Sequence, residues 1–247
     1  MNLNEIAIIL VAPQMGENIG ASARAMKNFG LTDLRIVKPR DGWPNEKALN
    51  VAASADNIIN SATIYSNLKE ATYDLEYLYA TTASKRDINK EQIFSNDLKR
   101  DIKPNPQVKK LGFIFGRENN GLTNEEISFA NKIITINTAD EYSSLNLAHA
   151  VSIICHKLFI ITTSQSEVKS VNKAENCKTP LAKKKDLEYF YDNLFTKLEQ
   201  KSFFKASQKQ DLMEQKIRNI FGRINNLSQS EVQILQGIIK TLDKNKK

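Results

Sequence analysis

The sequence predicts an α/β protein with a mostly parallel sheet, helices on both faces of that sheet, and a small α-helical extension after it. Through the first two thirds of the 247 residues, short β-branched apolar runs alternate with helical patterns. That alternation is typical of parallel α/β sheets. In the last third, apolar residues recur only at helical spacing, which indicates a separate helical unit.

Five short apolar runs are the predicted strands. Their β-branched content and their length favour buried strands over helices. In chain order they are Ile6–Val11, Leu34–Val37, Leu75–Thr82, Leu111–Phe115 and Ile133–Ile136.

Four helices are predicted in the same part of the chain. The first, Ile19–Phe29, is stopped by Gly30 at a C-cap position, and Ala48–Ile59 carries an apolar stripe. Thr123 opens the third as N-cap, with Glu126 three residues later completing a capping box. The fourth is a long helix that packs on the sheet and closes the domain, and its apolar face is formed by Leu147, Val151, Ile154 and Leu158.

The chain divides into three parts on this reading. Residues 1–163 form the α/β domain, residues 164–185 form a polar, lysine-rich linker that contains Pro180, and residues 186–247 form the helical extension. A bundle of about sixty residues is marginal by itself, so we expect it to pack on its own body or on a partner subunit. Its three helices are marked by Leu187, Phe190, Leu194 and Leu198, by Met213, Ile217, Ile220 and Ile224, and by Val232, Leu235, Ile238 and Leu242.

Composition excludes several classes of protein. No apolar run is long enough to span a membrane, and the first residues lack the basic and apolar regions of a secretory signal, so we expect a cytoplasmic protein with no membrane partner. The two cysteines, Cys155 and Cys177, are too few for a disulfide scaffold and have no metal-ligand spacing. We expect no metal, and Cys155 is interpreted as a small core residue.

The net charge of +7 is concentrated in the last third of the chain. Residues 1–165 contain 18 Lys/Arg and 18 Asp/Glu, whereas residues 166–247 contain 17 and 10. A basic appendage on a neutral body is typical of an attachment that binds a polyanion. A solvated, lysine-rich tail that only maintains solubility is an equally good interpretation of the charge alone.

The segment after the first strand lacks the Gly-x-Gly-x-x-Gly fingerprint of dinucleotide-binding proteins. It reads instead Pro-Gln-Met-Gly-Glu-Asn-Ile-Gly-Ala-Ser-Ala-Arg, ending at Arg24. Gly20 and Ala21 lie one turn before Arg24, which would leave bare backbone beside a guanidinium, a surface that suits a phosphate or a ribose. The alternative is that the small residues permit close helix packing and that Arg24 is a surface charge.

Two further polar segments follow buried strands. Gly116-Arg-Glu-Asn-Asn-Gly121 comes directly after the fourth strand, and ligands of open parallel sheets bind beyond the carboxyl ends of strands. The third segment, Glu141-Tyr-Ser-Ser-Leu-Asn146, leads from the fifth strand into the last helix of the domain. A plain solvated turn remains the alternative for the second segment, and simple helix capping remains the alternative for the third.

Three residues that often take part in function are interpreted as structural. His149 and His156 both lie in the last helix of the domain, and we favour a structural position for each over proton transfer. Trp43 could stack on a nucleobase, but packing on its own domain is the favoured interpretation.

Together the three polar segments resemble the signature motifs of the SpoU/TrmH branch of the SPOUT class of RNA 2'-O-methyltransferases. The resemblance rests on Glu-Asn-Ile-Gly-Ala-Ser-Ala-Arg-Ala-Met-Lys-Asn-Phe-Gly, on Phe-Gly-Arg-Glu-Asn-Asn-Gly-Leu-Thr and on Glu-Tyr-Ser-Ser-Leu-Asn-Leu-Ala-His-Ala-Val. The motifs occur in the expected order within residues 5–160. Asp-Leu-Glu-Tyr-Phe-Tyr and Ile-Leu-Gln-Gly-Ile extend the similarity into the tail, where it points to a tRNA-methylating group within the branch.

The resemblance implies a fold and a cofactor that composition and spacing do not supply. It implies a deep trefoil knot in the C-terminal part of the α/β domain, a homodimer in which each subunit completes the other's active site, and S-adenosyl-L-methionine (AdoMet) as the methyl donor. A general argument from topology would have excluded a knot, because knots are rare. By the same resemblance, the AdoMet contacts correspond to Thr81, Thr82, Ala83, Gly116, Ile136, Ser143, Ser144 and Leu145.

The resemblance also implies catalytic roles and a substrate. Arg24 would act as a general base or orient a phosphate or the 2'-oxygen, and both roles stay open because a guanidinium is normally always charged. Asn18, Glu118 and Asn146 would organise the pocket by hydrogen bonds, with Glu118 able to pair with an arginine. The implied substrate is tRNA, methylated on the ribose of the cytidine or uridine at anticodon-loop position 32. Ribosomal RNA or another tRNA position as target, and a catalytically silent RNA-binding protein, remain the alternatives.

Overall fold

The computed structural model describes residues 2–83, 89–102, 108–139, 141, 143–166, 180–204, 210–224 and 227–243. Most of the predicted linker, residues 167–179, and Cys177 within it lie outside these ranges.

A seven-stranded sheet forms the centre of the molecule, in the strand order β3-β2-β1-β6-β4-β7-β5. Every pairing within it is parallel, so the predicted parallel sheet is confirmed. The strands are β1 (Ile6–Val11), β2 (Asp33–Val37), β3 (Thr63–Tyr65), β4 (Tyr77–Thr81), β5 (Gln92–Phe94), β6 (Leu111–Phe115) and β7 (Lys132–Thr135).

The two edge strands, β3 and β5, are not among the five strands that the sequence predicts. Each has only three residues and is largely exposed, so neither has the continuous apolar run that marks the five buried strands. Short, solvated edge strands are common because they limit pairing with other chains. Sequence patterns that depend on burial therefore miss them.

Ten α-helices are found within the described ranges, together with three short 3₁₀ turns. They are α1 (Gly16–Asn28), α2 (Glu46–Ala52), α3 (Asp56–Ser61), α4 (Leu68–Thr72), α5 (Leu98–Ile102), α6 (Asn124–Ser128), α7 (Leu147–Ser166), α8 (Lys184–Gln200), α9 (Gln210–Gly222) and α10 (Gln229–Asp243).

The prediction of one continuous helix over Ala48–Ile59 is wrong. The segment breaks into α2, a 3₁₀ turn at Ala53–Ala55, and α3. At the break Ala53 has a φ of 51°, a left-handed conformation that an α-helix cannot include. The apolar stripe continues through the break because buried residues of both short helices belong to the same apolar cluster.

Helices cover both faces of the sheet, as the sequence predicts. Successive residues of β1 point to opposite faces, so Ile8 packs in the layer formed with α1, α2 and α7, and Ile9 packs in the layer formed with α4 and α6. Both side chains are fully buried. Cys155, on α7, is also fully buried in the first layer, which confirms its interpretation as a core residue.

Helices α8, α9 and α10 surround a separate apolar cluster centred on Phe190 and Tyr191. Their junction with the body begins at α8, where the Lys184 amide donates to the Leu75 carbonyl at 2.8 Å and Lys184 Nζ donates to Asn131 Oδ1 at 2.6 Å. Leu75 and Asn131 precede β4 and β7, so the helices dock at the amino-terminal edge of the sheet. They therefore lie opposite the edge at which the strands end.

No helix in the described ranges is long and apolar enough to cross a bilayer.

Candidate active site

A cavity of about 340 Å³ lies at the carboxyl edge of the sheet. Its walls are the segments that follow β4, β6 and β7 and the first turn of α7. This is the position at which open parallel sheets bind ligands. All eight residues predicted to contact the cofactor line this cavity: Thr81, Thr82, Ala83, Gly116, Ile136, Ser143, Ser144 and Leu145.

The remaining lining residues are not among the predicted cofactor contacts. The apolar members complete the walls between the predicted residues, and Arg117, Asn119, Asn120 and Gly121 form the loop that follows β6. They could have been found from their position in the sequence, because each lies within a few residues of a predicted cofactor contact. The apolar members are Phe115, Ile134, Leu147 and Ala150.

Gly116 is required by close backbone packing. A Cβ at this position would lie 2.2 Å from the carbonyl carbon of Gly121, closer than any side chain can approach. The approach arises because the loop after β6 folds back, with the Gly121 amide donating to the Arg117 carbonyl at 2.9 Å and Gly121 at a φ of 65°. Only glycine lets the strand end pass this close to the loop.

An ion pair fixes the base of the same loop. Arg117 donates to both carboxylate oxygens of Glu126, at 3.0 and 2.8 Å, and to the Gly121 carbonyl at 3.1 Å. The hydrogen bonds to Glu126 raise the pKa of Arg117 above its usual value. Glu126 also completes the predicted capping box with Thr123 at the start of α6, which is confirmed. Arg117 thereby connects the start of the loop to its end at Gly121 and to α6 through Glu126.

Asn18, Glu118 and Asn146 form a continuous hydrogen-bonded network. Asn146 Nδ2 donates to Asn18 Oδ1 at 2.9 Å, and Asn18 Nδ2 donates to Glu118 Oε1 at 2.8 Å. The two Glu118 oxygens also accept from the backbone amides of Gln14 and Met15, at 2.8 and 3.2 Å. Three segments far apart in sequence are held together in this way. Glu118 also belongs to the cavity wall.

Asn146 has a structural role as well. Its Oδ1 accepts from the Ala148 amide at 2.9 Å, so it caps the start of α7. The capping alternative for the third polar segment is therefore confirmed for Asn146, and its other amide atom serves the network. The cap sets the direction of α7 beside the cavity.

Gly20 does not present bare backbone to a ligand. It is buried in the contact between α1 and α2, where an added Cβ would lie 2.3 Å from the Ala48 carbonyl oxygen. Close helix packing is therefore its role, and the interpretation of Gly20 beside Arg24 as a phosphate or ribose surface is wrong. Arg24 is exposed, does not line the cavity of its own chain, and has no hydrogen bond or ion pair with any described residue.

The structure also tests the predicted arginine partner of Glu118 and the positions of the two histidines. No arginine of the described ranges forms an ion pair with Glu118; the nearby charge is Arg40, whose pKa is raised mainly by its hydrogen bond to Asp41 and also by the Glu118 charge. His149 and His156 are exposed and do not line the cavity.

Trp43 packs, half-buried, against the core of its own domain, as favoured from the sequence. No group of three or more His, Cys, Asp or Glu side chains in the described part of the chain is placed to hold a metal ion.

Comparison with known proteins places these features in a family. A model of the SpoU rRNA Methylase family matches residues 5–156, and a model of the C-terminal domain of tRNA methyltransferase TrmJ matches residues 185–247. A protein of Photorhabdus laumondii named tRNA (cytidine/uridine-2'-O-)-methyltransferase TrmJ is 31% identical over 242 residues, covering 98% of each chain. A Klebsiella pneumoniae protein of the same name is 32% identical over 246 residues, covering 99% of each chain.

A solved structure agrees with these matches. The crystal structure of TrmJ from Z. mobilis ZM4 superposes with a TM-score of 0.85 at 34% identity, covering 96% of this chain and 99% of that one. The similarity therefore includes both the α/β body and the C-terminal helices. The chain belongs to the SpoU methylase family and, within that family, to its TrmJ group.

Proposed function

We propose that the protein transfers the methyl group of AdoMet to the ribose 2'-hydroxyl of the cytidine or uridine at anticodon-loop position 32 of tRNA, in the cytoplasm. The observation that carries the proposal is the cavity at the carboxyl edge of the sheet, which is lined by all eight residues assigned to the cofactor. Relatives that align over almost the whole chain are named as cytidine/uridine tRNA 2'-O-methyltransferases, which supports the reaction and the substrate.

The cavity fits AdoMet in size and in chemistry. Its volume of about 340 Å³ lies within the range of small-molecule sites. Apolar side chains such as Ile134 and Ile136 suit an adenine ring, and the backbone and hydroxyl groups of Ser143 and Ser144 suit the polar parts of the molecule. When bound, AdoMet supplies a methyl group on a positively charged sulfur.

The residues of the chain then position the acceptor. Ribose methylation needs the 2'-oxygen in line with the methyl group and a path for its proton. The network of Asn18, Glu118 and Asn146 uses most of its donors and acceptors internally, which favours positioning of the surrounding loops over proton transfer. We assign Arg24 to the RNA, either as the group that orients the 2'-oxygen or a phosphate or as the general base.

The same proposal includes a homodimer, a knot and three structural parts. Arg24 is exposed and does not line the cavity of its own chain, so we place it at the site of a second copy. The partly exposed Phe159 and Ile160 on α7 supply apolar surface for that contact. The trefoil knot rests on the family resemblance. The division into a methyltransferase domain (1–163), a linker (164–185) and a C-terminal extension that helps to hold tRNA (186–247) rests on the change of sequence pattern along the chain.

The test is a methyl-transfer assay with labelled AdoMet on unmodified tRNA transcripts, followed by nucleoside analysis, with the Arg24→Ala variant in parallel. We expect a 2'-O-methylated pyrimidine nucleoside at position 32 with the wild-type protein and none with the variant. Methylation at another tRNA position or only in ribosomal RNA would contradict the substrate. AdoMet binding without transfer to any RNA would contradict the reaction.

A further inference from the structure

Two neighbouring asparagines at the cavity have no assigned role. Asn119 and Asn120 line the cavity from the loop after β6, and both are exposed. Neither side chain forms a hydrogen bond with another described residue. Their neighbour Glu118, in contrast, has both carboxylate oxygens occupied. The loop after β6 therefore presents to the cavity two side-chain amides that have no hydrogen-bond partner among the described residues.

The loop that carries these two amides is fixed at both ends. On one side Glu118 is bound by backbone amides of the β1–α1 loop, and on the other Gly121 is bonded to Arg117 through backbone and side chain. Arg117 is fixed in turn by Glu126 on α6. A loop fixed at both ends presents its side chains with little loss of conformational freedom on binding, which is a property of preorganised recognition groups.

The strand order determines on which side of the cavity the loop lies. Strand β6 stands between β1 and β4, and β7 lies beyond β4. The loop after β6 therefore separates the segments after β4 and β7, which hold most of the residues assigned to AdoMet, from the first turn of α1, which contains Asn18. A nucleotide that entered the cavity from the side of Asn18 would bring its base next to this loop.

We propose that Asn119 and Asn120 recognise the Watson–Crick edge of the target pyrimidine, an inference that rests on the proposed function. Cytosine offers an exocyclic amino donor, and uracil offers a carbonyl acceptor at the same place. An asparagine amide has a donor and an acceptor and can match either base by rotating half a turn. Bases in single-stranded loops are commonly read in this way. The pair of amides explains how one site accepts both pyrimidines.

The test replaces each amide with a carboxylate, which has the same shape but only accepts hydrogen bonds. Asn119→Asp and Asn120→Asp are assayed with two tRNA transcripts that differ only in having cytidine or uridine at position 32. We expect at least one variant to shift the ratio of kcat/KM toward cytidine by roughly fivefold or more, because a carboxylate accepts from the cytosine amino group and repels the uracil carbonyl. Affinity for AdoMet, measured by calorimetry, should stay within about twofold of wild type.

Asn124→Asp is the matched control, because Asn124 is an exposed asparagine nearby that does not line the cavity. It should leave the ratio unchanged. Equal losses on both transcripts in both variants, an unchanged ratio in both, or an effect confined to AdoMet affinity would each overturn the inference. A wild-type protein that methylates neither transcript at position 32 would instead refute the proposed function, and the inference with it.

Discussion

Asn18, Glu118 and Asn146 use most of their polar groups in hydrogen bonds within the protein. Each side chain bonds to another member or to backbone amides, and together they connect the segments after β1, β6 and β7. Asn18 is buried and Glu118 is half-buried, and a polar group that lacks a partner in such surroundings costs free energy. The residues are therefore interdependent, and a small change in one should disturb all three loops.

Glu118→Gln tests this dependence at the scale of one residue. The substitution keeps the shape of the side chain but replaces one acceptor oxygen with an NH₂ group. That group is a donor, and it would face another donor: the Gln14 amide, the Met15 amide or Asn18 Nδ2. We expect the free energy of unfolding to fall by about 1–3 kcal/mol, measured by urea denaturation, and methyl transfer to fall with it. Glu125→Gln, at an exposed position on α6, is the control and should change neither. Wild-type stability of the Glu118 variant would show that the network contributes nothing.

At the scale of elements, the contact between α1 and α2 explains a glycine that the sequence left ambiguous. Gly20 lies where the two helix backbones meet, and it has no room for a methyl group. Gly237 is also within a helix, α10, but an added Cβ there would have nothing within 4 Å. The two glycines have the same helix propensity and opposite surroundings.

The same substitution at the two sites should therefore have opposite effects. Gly20→Ala should destabilise the protein by about 1–3 kcal/mol because α1 must move away from α2. Gly237→Ala should stabilise α10 by about 0.5–1 kcal/mol because alanine is the better helix former. Chemical denaturation of both variants measures the difference, and a Gly20→Ala protein as stable as wild type would show that the helices separate at no cost.

The junction between the body and the C-terminal helices contains buried positive charge. Lys90 donates to the carbonyls of Ser128 and Ala130 and is 8% exposed. Burial, with the nearby charges of Lys184 and Arg218, lowers the pKa of Lys90 to about 7. Arg218 pairs with Glu188 at 2.6 Å. Attachment of the helices should therefore respond to pH.

Lys90→Met tests this response. The unfolded chain keeps the Lys90 proton up to a pH of about 10.4, whereas the folded protein releases it near the lowered pKa of Lys90, so stability should rise with pH between these limits. The slope from this group is at most about 1.4 kcal/mol per pH unit and should be absent in the variant. The measurement is urea unfolding from pH 7 to 9, with the exposed Lys99→Met as control. Equal slopes in wild type and Lys90→Met would contradict the role of this group.

At the scale of the whole molecule, the position of Arg24 bears on assembly. A residue proposed to act in catalysis lies outside the cavity of its own chain, which is what a site completed by a second copy requires. In a two-fold dimer the same residue of each subunit would reach the other's cavity.

Mixing two inactive variants tests the shared site. Arg24→Ala removes the guanidinium, and Ser144→Trp fills the cavity at an exposed position of its wall. If Arg24 acts on the partner's cavity, refolding an equal mixture should recover about one quarter of wild-type activity, because half of the dimers then contain one intact site. Recovery near zero, with each variant folded by circular dichroism, would place Arg24 at its own cavity.

The charge distribution of the whole molecule predicts how tRNA binding depends on salt concentration. The excess of Lys and Arg lies in residues 166–247, and Lys185, Lys201 and Lys216 are exposed there. Replacing these three with Gln should reduce the slope of log Kd for tRNA against log salt by roughly 0.7–0.9 for each phosphate that is no longer neutralised. The control replaces the exposed Lys99, Arg100 and Lys109 of the body. A slope that falls equally in both would assign RNA binding to the body.

The sequence by itself determined the parallel α/β class, the five buried strands, the capping box at Thr123 and the two polar segments, 116–121 and 141–146, that follow buried strands. These features depend on local patterns, because burial, helix capping and strand-end polarity each leave a signal within a few residues. The family resemblance added the cofactor assignment, and every residue of it lines one cavity.

The features that depend on contacts between distant residues were decided only by the tertiary structure. Three features depend on a neighbour far away in sequence: the two exposed edge strands, the packing role of Gly20, and the docking of α8 on Leu75 and Asn131. The network from Asn18 to Asn146 spans 128 residues, so no local pattern could reveal which atoms meet. A local sequence pattern indicates that a residue is buried or that it caps a helix. Only the fold determines which distant residue it contacts.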